Sequence, residues 1–227
     1  MAKRLSKDQL ETDQLVTTYY LTVTWMKNNQ ALVIAGFIAV VALVGGIIWY
    51  VTQSSAQEDR ARDAIVYAEN QFLQNNFEDA LYGDPENMRP GLVEIISRYP
   101  RTTAANLARY YAAVSELNLG NYESALSFIR DYNPARGIMG VAPHSLHGAI
   151  LMQLERYDEA TRVFERAAEW DVNEATTPFN LLQAAEASIA AGNNRKASDL
   201  IARIKAEFPD SDEITRAERL SGRLAVQ

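Results

Sequence analysis

The chain has 227 residues, of which 48% are apolar and 22% charged, with only seven prolines and eleven glycines, and this balance is typical of a folded protein rather than a disordered one. Its net charge is −7, so a basic surface for binding nucleic acid is not expected. The absence of cysteine excludes disulfides, thiolate nucleophiles and cysteine-based zinc sites.

Residues 1–30 are predicted to form a cytoplasmic tail that ends in a juxtamembrane amphipathic helix. The segment LVTTYYLTVTWMKNN places Leu15, Tyr19, Val23 and Met26 on one helical face. Tyrosine and tryptophan are enriched at the headgroup level of membranes, so this helix is expected to lie on the cytoplasmic interface. The same residues also have strand propensity, which leaves a strand as the alternative.

Residues 31–51, ALVIAGFIAVVALVGGIIWYV, contain no charged residue and are predicted to form a transmembrane helix. A helix of this length extends about 31 Å, which matches a hydrocarbon core of roughly 30 Å. A buried core helix is the alternative, but such helices usually carry a polar stripe. An uncleaved anchor is favoured over a signal peptide, because the apolar run is longer than the roughly 7–15 residues of a signal peptide.

The residues that flank and line this span give two further expectations. Basic residues are more numerous before the span than just after it, which predicts a cytoplasmic N-terminus and an external C-terminal part. They are Lys3, Arg4, Lys7 and Lys27 before the span and Arg60 and Arg62 just after it. Small residues fall on one side of the span and could allow close approach of a second helix; they are Ala35, Ala39, Ala42 and Gly46.

After a short linker at 52–56, residues 57–227 are predicted to form one periplasmic domain built from repeats. GNYESALSF, RYDEATRVF and NNRKASDLI echo one another, and their alanines, Ala125, Ala160 and Ala197, are 35 and 37 residues apart. This spacing is close to the roughly 34-residue unit of a tetratricopeptide (TPR) array. Small, aromatic, small and bulky residues recur around each alanine, as two packed antiparallel helices require.

The predicted fold class is therefore all-α, with one N-terminal transmembrane helix followed by a TPR α-solenoid of three clear repeats. A divergent first repeat contains the earlier echo NNFEDALYG and is interrupted by YGDPENMRP, and Asp212 to Leu224 is expected to form a terminal helix that covers the last repeat. A helical bundle with accidental internal similarity is the alternative.

The order of these elements and several sequence strings resemble the membrane-anchored TPR proteins of the bacterial envelope, including the YfgM-like group. The strings are ALYGDPENMRPGLVEIISRYPRTTAANLARYYAAVSELNLGNYESAL, DEATRVFERAAEWDVNEATTPFNLLQAAEA and KASDLIARIKAEFPDS. The resemblance implies a place in the bacterial inner membrane, beside the protein-export channel and periplasmic folding factors, as a docking or chaperone-like subunit. The chain departs from the family pattern where LERYDEA replaces the usual Gly-Asp turn.

A TPR array offers a curved groove lined by the first helix of each pair, in which a peptide segment can lie. The predicted groove is largely apolar; its positions are Leu107, Tyr110, Val114, Leu117, Ala142, Ser145, Ala149, Met152, Phe179, Leu182, Glu186 and Ile189. These residues either bind a partner protein or pack on the array's own terminal helix, and the sequence leaves both alternatives open.

The sequence contains no motif that predicts catalysis, a cofactor or a metal site. His144 and His147 are expected to be packing or capping residues rather than metal ligands, because no third ligand is evident. Two function classes remain, neither of them enzymatic. One is a membrane-tethered interaction subunit of the export and folding machinery, and the other is a structural scaffold of another envelope assembly or secretion complex that does not bind client chains.

Overall fold

The computed structural model describes the backbone of residues 7–225 and the side chains of residues 16–225. Helices account for 78% of the chain, which confirms the all-α class. The chain divides into two compact units, Met1–Ala56 and Gln57–Gln227. Lys3, Arg4 and the side chains of Lys7 and Leu15, which entered the expectations for topology and for the interfacial helix, lie outside the described residues.

In the first unit, helix α1 (Lys7–Asn28) is separated from helix α2 (Gln30–Leu73) by a single residue, Asn29. The backbone N–H and the side-chain amide of Asn29 both donate to the carbonyl oxygen of Trp25, each at 2.9 Å. The carbonyl of Asn29 accepts from the backbone N–H of Val33 at 3.1 Å. Asn29 therefore ends α1 and begins α2.

Helix α2 is long and apolar enough to cross a membrane, and among the described residues it is the one helix that meets this test. Within residues 31–51 every side chain except Val33 is exposed. The helix continues through residues 52–56, which the sequence predicted as a linker. There the hydroxyls of Thr52 and Ser55 donate to the carbonyls of Ile48 and Val51 at 2.8 and 3.0 Å.

The second unit contains the end of α2 and a series of shorter helices. They are α3 (Phe77–Tyr82), α4 (Leu92–Arg98), α5 (Thr103–Asn118), α6 (Tyr122–Arg130), α7 (Val141–Gln153), α8 (Tyr157–Trp170), α9 (Thr177–Ala190), α10 (Asn194–Glu207) and α11 (Ile214–Leu224). Helices α5 and α6, α7 and α8, and α9 and α10 pack as consecutive pairs, and α8 also packs on α9.

The same backbone turn recurs at all four sequence echoes. At each turn one residue has a left-handed conformation; these residues are Asn75, Gly120, Glu155 and Gly192, with φ of 62°, 80°, 57° and 78°. The next residue donates its N–H to a carbonyl five positions earlier; the bonds are Asn76 to Gln71, Asn121 to Glu116, Arg156 to Leu151 and Asn193 to Ser188, at 2.8 to 2.9 Å. This is the hydrogen bond of a Schellman helix end, so each echo marks the same joint between two helices.

At each joint, small residues occupy the point where the helix before the joint crosses the helix after it. The alanines of the echoes are fully buried; they are Ala80, Ala125, Ala160 and Ala197. The residues twelve positions earlier are buried as well; they are Ala68, Ala113, Gly148 and Ala185. At Gly148 the approach is closest, because a Cβ atom there would lie 2.7 Å from the Phe164 ring.

A small β-hairpin separates α3 from α4, at the segment YGDPENMRP. Its strands, β1 (Gly83–Asp84) and β2 (Arg89–Pro90), are antiparallel. Gly83 has φ of 76°, and a Cβ atom at Gly83 or at Gly91 would overlap backbone atoms of the opposite strand or of α3. Only glycine therefore fits at these two positions, and the hairpin replaces what would otherwise be one longer second helix.

The C-terminal part of α2 is fastened to α5 by polar and aromatic contacts. The Glu58 carboxylate accepts from the backbone N–H of Thr103 at 2.8 Å and also contacts the Thr103 hydroxyl. The Tyr111 hydroxyl donates to Glu69 at 3.0 Å, and the Tyr111 ring stacks on Phe72 with ring centroids 4.4 Å apart. These contacts hold α2 against the first helix of the next pair.

Helix α11 packs on α10 at the C-terminal end of the unit. Ala217 and Leu220 are buried, and Arg216 forms an ion pair of 2.6 Å with Glu186 of α9. Thr215, Glu218 and Arg219 are exposed on the other side of the helix. A helix with one apolar and one polar face closes the core at this end and leaves a soluble surface.

The left-handed residue of a joint can be tested by glycine substitution, which should change the stability in opposite directions at two nearby positions. We expect Glu155→Gly to raise the free energy of unfolding by about 1 kcal/mol, because glycine adopts positive φ without a steric cost. The matched control, Gln153→Gly at the end of α7, should lower it by about 0.5–1 kcal/mol. Urea denaturation of the detergent-solubilised chain, followed by circular dichroism, measures both, and effects of the same sign would contradict the assignment.

The close approach at Gly148 gives a second test. We expect Gly148→Ala to lower the free energy of unfolding by about 1–3 kcal/mol, because the added methyl group overlaps the buried Phe164 ring. Gly222 is also helical but has open space around it. Gly222→Ala should therefore be neutral or stabilising by up to about 1 kcal/mol. The same denaturation assay compares the two, and an equal effect of both would show that the helix crossing is not tight.

Candidate functional groove

Three equivalent positions on the first helices of the pairs remain exposed. Leu107 of α5, Ala142 of α7 and Phe179 of α9 are each eighteen residues before the alanine of their own echo, and all three are exposed, Phe179 to 42%. A large exposed phenylalanine at a position that recurs in the helix pairs is not required by the core. These positions define the part of the predicted groove that a partner could reach.

A groove of about 330 Å³ lies between the N-terminal ends of α7 and α9 and includes two of these positions. Its lining residues are Ile138, Val141, Ala142, Ser145, Ala175, Thr176, Phe179 and Asn180. None of them carries a charge. We call this surface the α7–α9 groove.

The polar side chains of the α7–α9 groove are already paired within the protein. The Ser145 hydroxyl contacts Asn180 Oδ1 at 2.7 Å and the carbonyl of Val141 at 3.1 Å. The Asn180 side-chain amide donates to the carbonyl of Thr176 at 2.8 Å. Because these groups satisfy one another, the groove offers mainly apolar contact to a ligand.

One edge of the groove is formed by a short 3₁₀ turn, Ile138–Gly140, which precedes α7. The indole N–H of Trp170 donates to the carbonyl of Ala135 at 3.1 Å. A Cβ atom at Gly140 would overlap both Ala135 and the Trp170 ring, so the turn is packed directly onto α8. This packing leaves Ile138 exposed to 54% at the edge of the groove.

The opposite edge is fixed by Asn173, in the loop before α9. Its side-chain oxygen accepts from the backbone N–H groups of Ala175 and Thr176 at 2.9 and 2.8 Å. Its side-chain amide donates to the carbonyl of Asp171 at 2.7 Å. Both edges are therefore held by hydrogen bonds inside the protein, and the groove is preformed.

The other predicted groove residues on α5 and α7 are half-buried. Tyr110 packs against Tyr132 with ring centroids 5.7 Å apart, and burial, reinforced by Tyr132, raises the pKa of Tyr110 above its ordinary value. The remaining ones contact the core or lie at its border; they are Val114, Leu117, Ala149 and Met152. These side chains support the groove more than they line an open surface.

The side chains of two predicted groove residues on α9 already contact other parts of the protein. Leu182 is only 1% exposed and belongs to the main hydrophobic core, so the prediction that it lines an open groove is wrong. Glu186 is paired with Arg216 of α11. In the last helix pair, the terminal helix therefore engages part of the surface that the sequence assigned to a partner, and Phe179 is the residue that stays accessible.

Ile138 was not identified from the sequence, because it lies in the loop between two helix pairs rather than on the helical register. The sequence does contain a signal, since GIMG places two bulky apolar residues between glycines at the start of α7. Met139 is even more exposed than Ile138. Large apolar side chains in a short loop are unusual where no core covers them, and they extend the exposed apolar surface beside the groove.

His144 and His147 pack between α7 and α8. The His144 ring lies 4.5 Å from the Trp170 ring, centroid to centroid. Burial lowers the pKa of both histidines, that of His147 to about 4, and the charge of Arg130 adds to the effect at His147. Among the described residues no group of three or more histidine or acidic side chains is placed to hold a metal ion.

The small residues of the apolar stretch at residues 31–51, Ala35, Ala39, Ala42 and Gly46, are all exposed along α2. A Cβ atom at Gly46 would meet nothing within 4 Å. The side of the helix that they share is therefore open in the described chain.

No protein-family model matches the sequence of this chain, and no curated protein matches it either. The geometry of the groove and the apolar stretch of α2 are accordingly the structural features on which a functional proposal rests, beside the sequence resemblance to membrane-anchored TPR proteins.

The lowered pKa of His147 predicts how stability depends on pH. Between its unfolded value of 6.5 and about 4, the unfolded chain binds a proton that the folded chain does not, so stability is full above pH 6.5 and falls as the pH drops through this range. The facing charged or titratable groups are His144, Arg130, Arg166 and Glu159.

We expect His147→Gln to remove part of this loss. The difference in unfolding free energy between wild type and variant should change by an amount on the order of 1 kcal/mol between pH 6.5 and 4, smaller than the full shift implies because the site is only half-buried. Urea denaturation at a series of pH values measures it. A difference that stays constant with pH would contradict the prediction.

Proposed function

We propose that the chain is a membrane-tethered, TPR-type interaction subunit of the bacterial inner (cytoplasmic) membrane. In this proposal α2 is the single membrane anchor, the N-terminus is cytoplasmic, and residues 57–227 lie in the periplasm. The subunit binds proteins of the export (Sec-type) channel, periplasmic folding factors or exported chains, as in the YfgM-like proteins that the sequence resembles. It acts by binding and not by catalysis.

The recurring joint supports the repeat assignment. Four left-handed turns with the same hydrogen bond precede four fully buried alanines, and the last three alanines are spaced close to the roughly 34-residue TPR period. A bundle with accidental similarity has no reason to repeat both the turn and the buried small residues in register. This regularity favours a TPR array over a bundle.

The observation that carries the functional proposal is the uncharged, preformed α7–α9 groove with Phe179 exposed in it. Burial of an apolar side chain contributes about 1.5–3 kcal/mol, and a groove of about 330 Å³ holds one or two such side chains. Because association costs roughly 4 kcal/mol or more, the groove alone is expected to bind more weakly than roughly millimolar. Such weak binding suits a subunit that contacts partner or client segments transiently.

A site-specific photo-crosslinker tests this proposal in native membranes. We expect a photo-reactive phenylalanine analogue at Phe179 to crosslink to a polypeptide partner, because this side chain is exposed in the groove. The matched control is the same analogue at Ala202, which is exposed on α10 outside the groove. Mass spectrometry of the products should identify export-channel subunits, folding factors or exported chains at position 179 and not at position 202.

The outcomes separate the two function classes. Crosslinks from Phe179 to one defined envelope assembly, without channel subunits or exported chains, would favour the structural scaffold. Equal crosslinking from positions 179 and 202, or none from either, would contradict binding in the groove. Protease treatment of spheroplasts tests the topology separately, since residues 57–227 should be digested without lysis of the membrane.

A further inference from the structure

Helix α1 contains an exposed segment without charge that the groove-binding function does not use. From Val16 to Met26 every side chain except Val23 is exposed, and none carries a charge at neutral pH. At 100° per residue, Tyr19 and Met26 lie on one side of the helix, and Leu21 and Trp25 lie on the other. The exposed fractions of these four side chains are 66%, 43%, 67% and 57%.

This distribution differs from the single apolar face that the sequence predicted. A helix with one apolar face can float on a membrane with its other face in water. In α1 the second side also carries two large apolar side chains, so water on that side would leave them unburied. The segment Val16–Met26 therefore needs an environment that accepts apolar and hydroxyl groups all around the helix.

Polar groups of the segment are partly satisfied within the helix. The Thr22 hydroxyl donates to the carbonyl of Thr18 at 2.8 Å, and at the end of α1 the Asn29 amide donates to Trp25. A hydroxyl bonded to its own backbone loses less on leaving bulk water than a free hydroxyl does. Tyrosine and tryptophan rings with polar tips favour the headgroup layer over both water and hydrocarbon.

The length of the helices argues against a straight continuation of α1 from the span. From Val16 to Val51 a continuous helix would extend about 53 Å, whereas a bilayer with its headgroups is about 40–45 Å thick. The average tilt of about 20° shortens this length by only a few ångströms. In a straight helix the residues around Val16–Tyr20 would therefore stand in water, with their apolar surface exposed. The break at Asn29 is the point where the direction can change.

We propose that the segment Val16–Met26 lies along the membrane plane within the phospholipid headgroup layer and turns into the span at Asn29. Because the segment is uncharged, zwitterionic headgroups suffice as the ligand, and the binding is insensitive to salt. This inference rests on the span that the proposed function assigns to α2, and it does not depend on the α7–α9 groove.

Spin labels on single cysteines test the orientation, because the chain has no cysteine of its own. Thr17→Cys and Thr24→Cys place labels seven residues apart on the same side of α1, and both positions are exposed. The full chain is reconstituted in phosphatidylcholine vesicles, and label depth is measured from accessibility to oxygen and to a water-soluble nickel complex. A label at Val40→Cys, exposed within the span, is the control for insertion.

The expected result is equal depth for the labels at positions 17 and 24, at headgroup level and unchanged in high salt. A helix that continues straight from the span would place them at depths that differ by about 10 Å. Such a difference in depth would overturn the proposal. Labels shielded from both reagents, which indicate burial against protein, would also overturn it, and so would a requirement for anionic lipid. A shallow label at position 40 would instead contradict the membrane anchor, so the two failures are distinguishable.

Discussion

The second unit depends on one constraint, which is that two helices joined by a very short turn must cross at close range. The turn requires a residue with positive φ, and the crossing requires small side chains on both helices. The chain meets the first requirement with Gly120 and Gly192, and it meets the second with a buried alanine after every joint. Once each joint is fixed, the direction of each second helix follows from that of the first.

The departures from this rule show which requirement is stricter. Asn75 and Glu155 stand where glycine stands in the other joints, and both still adopt positive φ. Asparagine tolerates this conformation better than glutamate does, so the joint at Glu155 is the more strained of the two. At the crossing, by contrast, no residue larger than alanine occurs at the eight paired positions, and at Gly148 even a methyl group would overlap Phe164. The small size of the residues at the helix crossing is therefore kept more strictly than the glycine at the turn.

The sequence predicted the helices and the joints because these features depend on local periodicity and on residue size. The apolar span was equally clear, since 21 uncharged residues need no tertiary information to be recognised. The hairpin at Gly83–Pro90 was predicted only as an interruption, because the pairing of two strands of two residues leaves no alternating pattern. Its cause is visible in the structure alone, where Gly83 and Gly91 bring the strands and α3 too close for any side chain.

The groove was predicted less well, because register gives the face of a helix but not what covers it. Leu182 and Phe179 are one turn apart on the same helix, yet Leu182 is buried and Phe179 is exposed. The difference depends on which residues pack against each side chain, and these come from distant parts of the sequence. Ile138 could not be placed by register at all, since its position depends on a loop that Trp170 holds in place through Ala135.

A small uncharged groove and the membrane anchor that we propose for α2 would be physically complementary. One or two buried apolar side chains cannot bind a partner tightly, because their contribution must first offset the entropy lost on association. A membrane anchor reduces this loss for partners in the same membrane, since both molecules are already confined to a thin layer and their effective concentration is high. The same groove would bind a freely diffusing partner weakly. In the proposed function, the anchor would thus favour membrane-associated proteins and chains that emerge at the membrane, and the groove would select among these for exposed apolar segments.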